Sequence, residues 1–203
     1  VRGGDYIARD YDIEPDVSAA CYFYALAAAT GKRAMVKRMR KESLQGDMKF
    51  IKLLEKMGCT VSWERDGRQN LWLKGPDGKL KGMEVKMSDF SDQALTLAAI
   101  APFADSEVTI TGIAHIRGQE SDRIKVIVDE LAKMGILCNE LPDGVKIHPG
   151  TPKNTNIETY NDHRVAMSFA VTGLAGDGMT ILNPMCCKKT FAGFFDEIDR
   201  LEE

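Results

Sequence analysis

One arrangement recurs three times along these 203 residues, and it constrains the fold more than any single motif. Each copy has an acidic residue, an Ala-rich helix, a Gly or polar turn, a β-rich run and a second helix. The acidic positions are Asp16, Asp92 and Asp162, at intervals of 76 and 70 residues. The helices expected after them read SAACYFYALAAATG, QALTLAAIAPFADS and HRVAMSFAVTGLAG. They are rich in small apolar residues and closed by Gly or a polar turn, as buried helices are. KRAMVKRM, EVTITGIA and GMTILNPM follow as strands with β-branched residues in partial alternation. In the next helices Phe50, Leu53, Leu54 and Met57, then Ile124, Ile127, Val128 and Leu131, recur at helical spacing.

After each KMG a strand, a turn and a further strand are expected, with Asp66-Gly67 and Asp143-Gly144 as the turn signals. The third copy stops after FAGFFDEIDRL and lacks closing strands, so a strand from elsewhere is expected to complete its sheet. A unit of this size cannot bury its apolar helix alone. The expected fold is therefore α/β (α+β), with three βαβαββ-like repeats packed around a pseudo-threefold axis.

Composition narrows the partners. With 27 Lys+Arg against 30 Asp+Glu, the net charge of −3 and the lack of a basic block argue against nucleic acid. The longest nearly apolar runs are about eleven residues, short of the roughly 20 a membrane helix needs. Five cysteines without CxxC spacing suit neither a disulfide framework nor a zinc site, so a reducing cytoplasm and no metal are expected. The opening at Val1, with neither an initiator Met nor a signal-peptide profile, is expected to mark a piece of a longer chain.

Residues that differ between copies are the better candidates for chemistry. The shared Asp16, Asp92 and Asp162 read first as helix caps. Arg123 and Arg164, by contrast, stand in first helical turns where the first copy has Gly46 and Val17. A guanidinium is electrostatically unfavourable at a helix N-terminus and needs an anion beside it. That anion is either a bound carboxylate or phosphate, clamped by Arg and free N–H groups, or a neighbouring Glu120 or Asp162. Around them lie the polar strings HIRGQESDR (115–123), TYNDHR (159–164) and KKTF (188–191). Repeat symmetry would gather them at one end of the domain. There Glu120 could serve as acid or base, with Asp92 near enough for the two like charges to push their pKa values apart. His163 reads either as part of that site or as a core or capping histidine.

At this point the order of motifs resembles the EPSP synthase (5-enolpyruvylshikimate-3-phosphate synthase) family. EPDVSAACYF, QGDMKF, SDQALTLA, ESDR, TYNDHRVAM and KTF occur in sequence along nearly the whole chain. The resemblance implies two domains of three repeats each, with the active site between them. Residues 16–203 would form the C-terminal domain, with repeats near 16–90, 91–158 and 159–203, and residues 1–15 the connection to the other. It implies transfer of the enolpyruvyl group of phosphoenolpyruvate to shikimate 3-phosphate, without metal or organic cofactor. By the same resemblance Asp92 takes the hydroxyl proton, Glu120 handles the methylene proton and His163 lies beside the reacting centre. Arg123 and Arg164 clamp phosphoenolpyruvate, and Lys189 is near its phosphate. His115 and Gln119 stand where the family pattern has Asn and Lys against the shikimate ring, so weaker anion binding is expected there. The isolated chain is expected not to turn over, because the absent N-terminal domain would supply the rest of the cleft. Two rivals remain: UDP-N-acetylglucosamine enolpyruvyl transferase, which lacks the TYNDHR string, and a non-catalytic interaction module on the same repeats.

Overall fold

A computed structural model describes residues 3–64 and 69–201; the expected turn at Asp66-Gly67 lies outside the described residues. Three helices fill the interior: α1 (Val17–Thr30), α3 (Ala94–Ile100) and α5 (His163–Ala175). Their Ala-rich sequences favour helix and allow close approach. All seven residues of α3 are buried, and the three helices pack on one another. Two side-chain bonds show that α3 and α5 run in the same direction. Thr96 faces Ser168 at 3.5 Å, and one turn on the Thr172 hydroxyl donates to the Ala99 carbonyl at 2.8 Å. The N-termini of α3 and α5 therefore lie at the same end of the molecule.

Local chemistry sets the helix limits. Asp16 caps α1 by accepting from the Ala19 N–H, and Gly31 ends it at φ 68°, a left-handed conformation that Gly adopts without Cβ strain. Asp162 caps α5 by accepting from the Arg164 N–H. Asp92 breaks the pattern. It sits inside a 3₁₀ turn (Ser91–Gln93) ahead of α3, so its carboxylate does not cap the helix and is free for side-chain partners.

The outer helices α2 (Met48–Lys56), α4 (Arg123–Lys133) and α6 (Phe194–Asp199) are shorter or amphipathic. α2 and α4 pack on α1 and α3 respectively. α6 reaches the core through Phe194, whose ring meets Tyr22 of α1 edge-on at 5.7 Å.

Among the described residues, three sheets cover the helices. The first contains β1 (Arg33–Val36), β2 (Thr60–Trp63) and β3 (Leu71–Lys74), in the order β1-β3-β2. The second contains β4 (Glu84–Lys86), β5 (Val108–Thr111), β6 (Cys138–Leu141) and β7 (Gly144–Ile147), in the order β4-β5-β7-β6. The third pairs β8 (Asn156–Ile157) with β9 (Thr180–Ile181). β4 is parallel to β5, and β8 to β9, each pair joined through a buried helix; β1 and β3, like β5 and β7, are antiparallel. The first sheet thus matches the β5-β7-β6 portion of the second, and the third matches its β4-β5 portion.

The turn expected at Asp143-Gly144 falls one residue earlier. Pro142 and Asp143 form the turn, and Gly144 is the first residue of β7. A Cβ at Gly144 would lie 1.8 Å from the Ile110 carbonyl oxygen, so glycine is needed for the close approach of β5, not for a turn. Among the described residues, no helix is long and apolar enough to cross a membrane.

Candidate active site

Arg123 is the centre of the polar end. As the first residue of α4 it is placed over the N-terminus of α5, and only 2% of its side chain is exposed. Its Nε donates to Asp162 Oδ2 at 2.8 Å and its Nη2 to Asp162 Oδ1 at 3.2 Å. Nη2 also donates to Glu120 Oε2 at 2.9 Å, and Nη1 to the Gln119 side-chain oxygen. Nη1 lies 3.6 Å from Asp92 Oδ1. Arg164, one residue into α5, donates from Nη2 to the other oxygen of Asp92 at 2.8 Å. The two guanidiniums from different copies therefore meet at a single carboxylate.

The remaining members close around this pair. Lys189 ends a 3₁₀ turn (Pro184–Lys189) and donates to Glu120 Oε1 at 2.9 Å. His163 opens α5 and is nearly buried, with Nδ1 3.8 Å from Asp162 Oδ1. His115, in the 3₁₀ turn Ala114–Gly118, shares a hydrogen bond of 2.8 Å with Ser91 Oγ. Gln119 is committed to Arg123. All eight residues singled out in the sequence are thus tied to one rim, directly or through a single partner. On the Asp92 side lies a concavity of about 390 Å³ whose walls include Ser18, Gln45, Asp47 and Ser91. A larger apolar groove of about 560 Å³, between α1, β1 and Leu174, contains none of these charged groups.

The electrostatics differ from the sequence expectation in one respect. Like-charge repulsion does not set the carboxyl at Glu120. The Lys189 hydrogen bond, with Arg123 also contributing, pulls it down to about 2, so Glu120 is an anion in the free site. Burial alone would raise the Asp162 carboxyl, but hydrogen bonds and charge from Arg123, with bonds from the Arg164 N–H and Ser121, outweigh it and the net shift is downward. Burial, reinforced by Arg164, lowers the His163 imidazole and favours its neutral form.

Sequence reasoning treated Asp162 mainly as a cap, whereas it is also the fully buried acceptor for Arg123. It missed the cluster in which the Ser18 hydroxyl and the Gln93 amide (2.8 Å) both donate to Asp47, linking the starts of α1, α2 and α3. Arg117 was also missed; it pins the loop through Glu140 at 2.6 Å and Asp122 at 3.3 Å.

Parallel buried helices, covering sheets and a rim of interlocked cations and carboxylates define an α/β domain of the enolpyruvyl transferase type. An enolpyruvyl transferase from Streptomyces tendae shares this fold, with a TM-score of 0.69 at 18% identity over 93% of this chain and 43% of that one. EPSP synthase from Acinetobacter baumannii is more similar, with a TM-score of 0.82 at 28% identity over 98% of this chain and 48% of that one. A 3-phosphoshikimate 1-carboxyvinyltransferase of Nostoc punctiforme is 46% identical over 201 residues, covering 99% of this chain and 46% of the relative. Residues 1–198 match the family model of EPSP synthase (3-phosphoshikimate 1-carboxyvinyltransferase), and the chain belongs to that family. It spans about half the length of the curated relatives it matches.

Proposed function

We propose that this chain forms one wall of a site that transfers enolpyruvyl from phosphoenolpyruvate to the 5-hydroxyl of shikimate 3-phosphate. The hydroxyl oxygen bonds to C2 of phosphoenolpyruvate while the methylene carbon gains a proton. The C2–O bond to phosphate then breaks, and a methyl proton is lost. The observation that carries this reading is the meeting of Arg123 and Arg164 at Asp92, 3.6 and 2.8 Å away. Paired guanidiniums fit a small molecule bearing both carboxylate and phosphate.

In this reading Asp92 accepts the hydroxyl proton. Glu120 faces the methylene carbon, stabilising the positive charge that develops after protonation and later taking the methyl proton. Because the Lys189 hydrogen bond, with Arg123 contributing, holds Glu120 ionised, it becomes a proton donor only when a substrate anion draws Lys189 away. His163 is neutral and lies beside the reacting centre. His115 and Gln119 face the shikimate ring, where Gln119 brings no charge of its own.

The same reading makes residues 16–203 one domain of pseudo-threefold plan and residues 1–15 its connection to a second domain. It places the protein in the cytoplasm, and it makes the second domain the source of the opposite wall. The test joins the portion of the Nostoc punctiforme relative that lies outside its match to this chain to these 203 residues. The hybrid is expected to release phosphate only with both substrates, the 203-residue chain alone to release none, and the hybrid with Arg164→Ala to lose activity. Turnover by the chain alone at the relative's rate, or an inactive but folded hybrid, refutes the proposal.

A further inference from the structure

The turn that delivers Asp162, His163 and Arg164 to the rim has an unusual backbone. Tyr160 and Asn161 are consecutive non-glycine residues at φ 54° and 55°. A bulky residue in the left-handed region is a marked outlier and persists only where its surroundings hold it. The Glu158 side chain accepts from the Tyr160 N–H at 3.3 Å and Asn183 donates to Asn161 at 3.4 Å, and the remaining hold comes from α4. Glu130, fully buried on that helix, accepts the Tyr160 hydroxyl at Oε1 (2.8 Å) and the Glu158 backbone N–H at Oε2 (3.3 Å). Lys133, partly exposed, adds a third bond to Glu130 at 2.7 Å. Seven residues earlier on the same helix, Arg123 grips Asp162. Seven residues of α-helix span about 10 Å and return to nearly the same face. One rigid helix therefore holds the turn at both ends, by Glu130 where it begins and by Arg123 where it enters α5.

We propose that Glu130 and Tyr160 are positioning residues, whose hydrogen bond holds the left-handed Tyr160–Asn161 turn so that Asp162 and Arg164 stand in register with Arg123 for an anionic substrate. Neither side chain needs to touch the substrate. Tyr160 is 38% exposed, so its hydroxyl bond, not core packing, is what a Phe substitution removes.

The kinetic test rests on the proposed activity and uses the hybrid enzyme described above. Tyr160→Phe is expected to raise KM for phosphoenolpyruvate at least fivefold while KM for shikimate 3-phosphate stays within twofold. Adding Asn161→Gly removes the conformational penalty at one of the two positions. The double variant is expected to recover KM to within threefold of the parent. A rise below fivefold, an equal effect on both substrates, or no recovery in the double variant overturns the proposal. A second measurement is independent of turnover and also decides the matter if the hybrid is inactive. In the 203-residue chain, Tyr160→Phe is expected to speed amide hydrogen exchange at residues 159–164 at least tenfold while α3 stays protected. A smaller change in the turn, or equal loss of protection in α3, overturns it.

Discussion

Asp16 and Asp162 occupy equivalent places in two copies of the repeat, yet replacing each by Ala is expected to have very different costs. Asp16 is exposed, and its side chain accepts from the Ala19 N–H at 3.3 Å. Its loss removes a cap worth about 1 kcal/mol. Asp162 is fully buried and accepts two bonds from Arg123, one from Ser121 (3.0 Å) and one from the Arg164 N–H (2.9 Å). Removing one partner of a buried ion pair costs about 3–5 kcal/mol, because the other charge stays behind. Glu120 still neutralises Arg123 at 2.9 Å, which sets the pair at the low end, about 3 kcal/mol. With the cap added, Asp162→Ala should cost about 4 kcal/mol, a fall in Tm of about 8–16 °C for a chain of this size. Urea unfolding followed by the fluorescence of Trp63 and Trp72 measures both variants. Because its folded carboxyl is depressed, Asp162 binds fewer protons folded than unfolded. Its stabilisation is thus complete above the ordinary carboxyl pKa near 4 and is lost as pH falls through the lower folded value. The gap between the two variants should narrow accordingly in acid. A gap under about 1 kcal/mol at pH 7 would show that Arg123 does not depend on Asp162.

The two arginines should separate stability from binding. Arg123→Ala strands buried Asp162 and is expected to cost about 3–5 kcal/mol in urea unfolding. Arg164→Ala leaves Asp92 partly exposed and still 3.6 Å from Arg123, so no buried charge is stranded and the cost is expected to be smaller. Equal losses would contradict the burial difference. In a carbon-detected NMR titration, the Glu120 carboxyl should titrate near 2, and Lys189→Met should move the midpoint up towards the ordinary range; an unmoved midpoint rejects Lys189 as the main cause. Gly144→Ala should destabilise by about 3 kcal/mol, at the upper end for overpacking, whereas Gly78→Ala, with open space around it, should stay within about 0.5 kcal/mol. Similar behaviour of the two would remove the steric argument for β7.

What the sequence made legible follows from how local each signal is. α1 could be read because cap, Ala-rich run and closing Gly31 all lie within one short segment. Arg123 and Arg164 could be read because a cation at a helix N-terminus is a local misfit that calls for an anion. β4 and β8 were not anticipated. They are three and two residues long, and what makes them strands is a parallel neighbour a helix away in sequence. Asp92 was misread as a cap because a 3₁₀ turn and an Ala-rich helix start look alike in sequence. Glu130 left a signal that went unused. It falls on the stripe of Arg123 and Ile127, where a charge without an internal partner would be costly. Its partner, Tyr160, belongs to the next copy of the repeat, so only tertiary structure reveals the pair.

Burial also decides which parts of the rim are fixed before any ligand arrives. Arg123, Arg164 and Lys189 face Asp92, Glu120 and Asp162, so the cluster is close to neutral within itself. Side-chain exposure is 2% and 0% for Arg123 and Asp162, but 62% and 34% for Lys189 and Glu120. The buried pair exchanges its partners only at a large desolvation cost, whereas the exposed pair is screened and weak. An incoming phosphate or carboxylate should therefore take Lys189 from Glu120 and leave Arg123 on Asp162. Arg123 then acts as a preorganised cation held in place by Asp162, and Lys189 as the mobile counter-ion. Releasing Glu120 from Lys189 raises its affinity for a proton at the moment an anion is bound, which couples anion capture to the appearance of an acid at the rim.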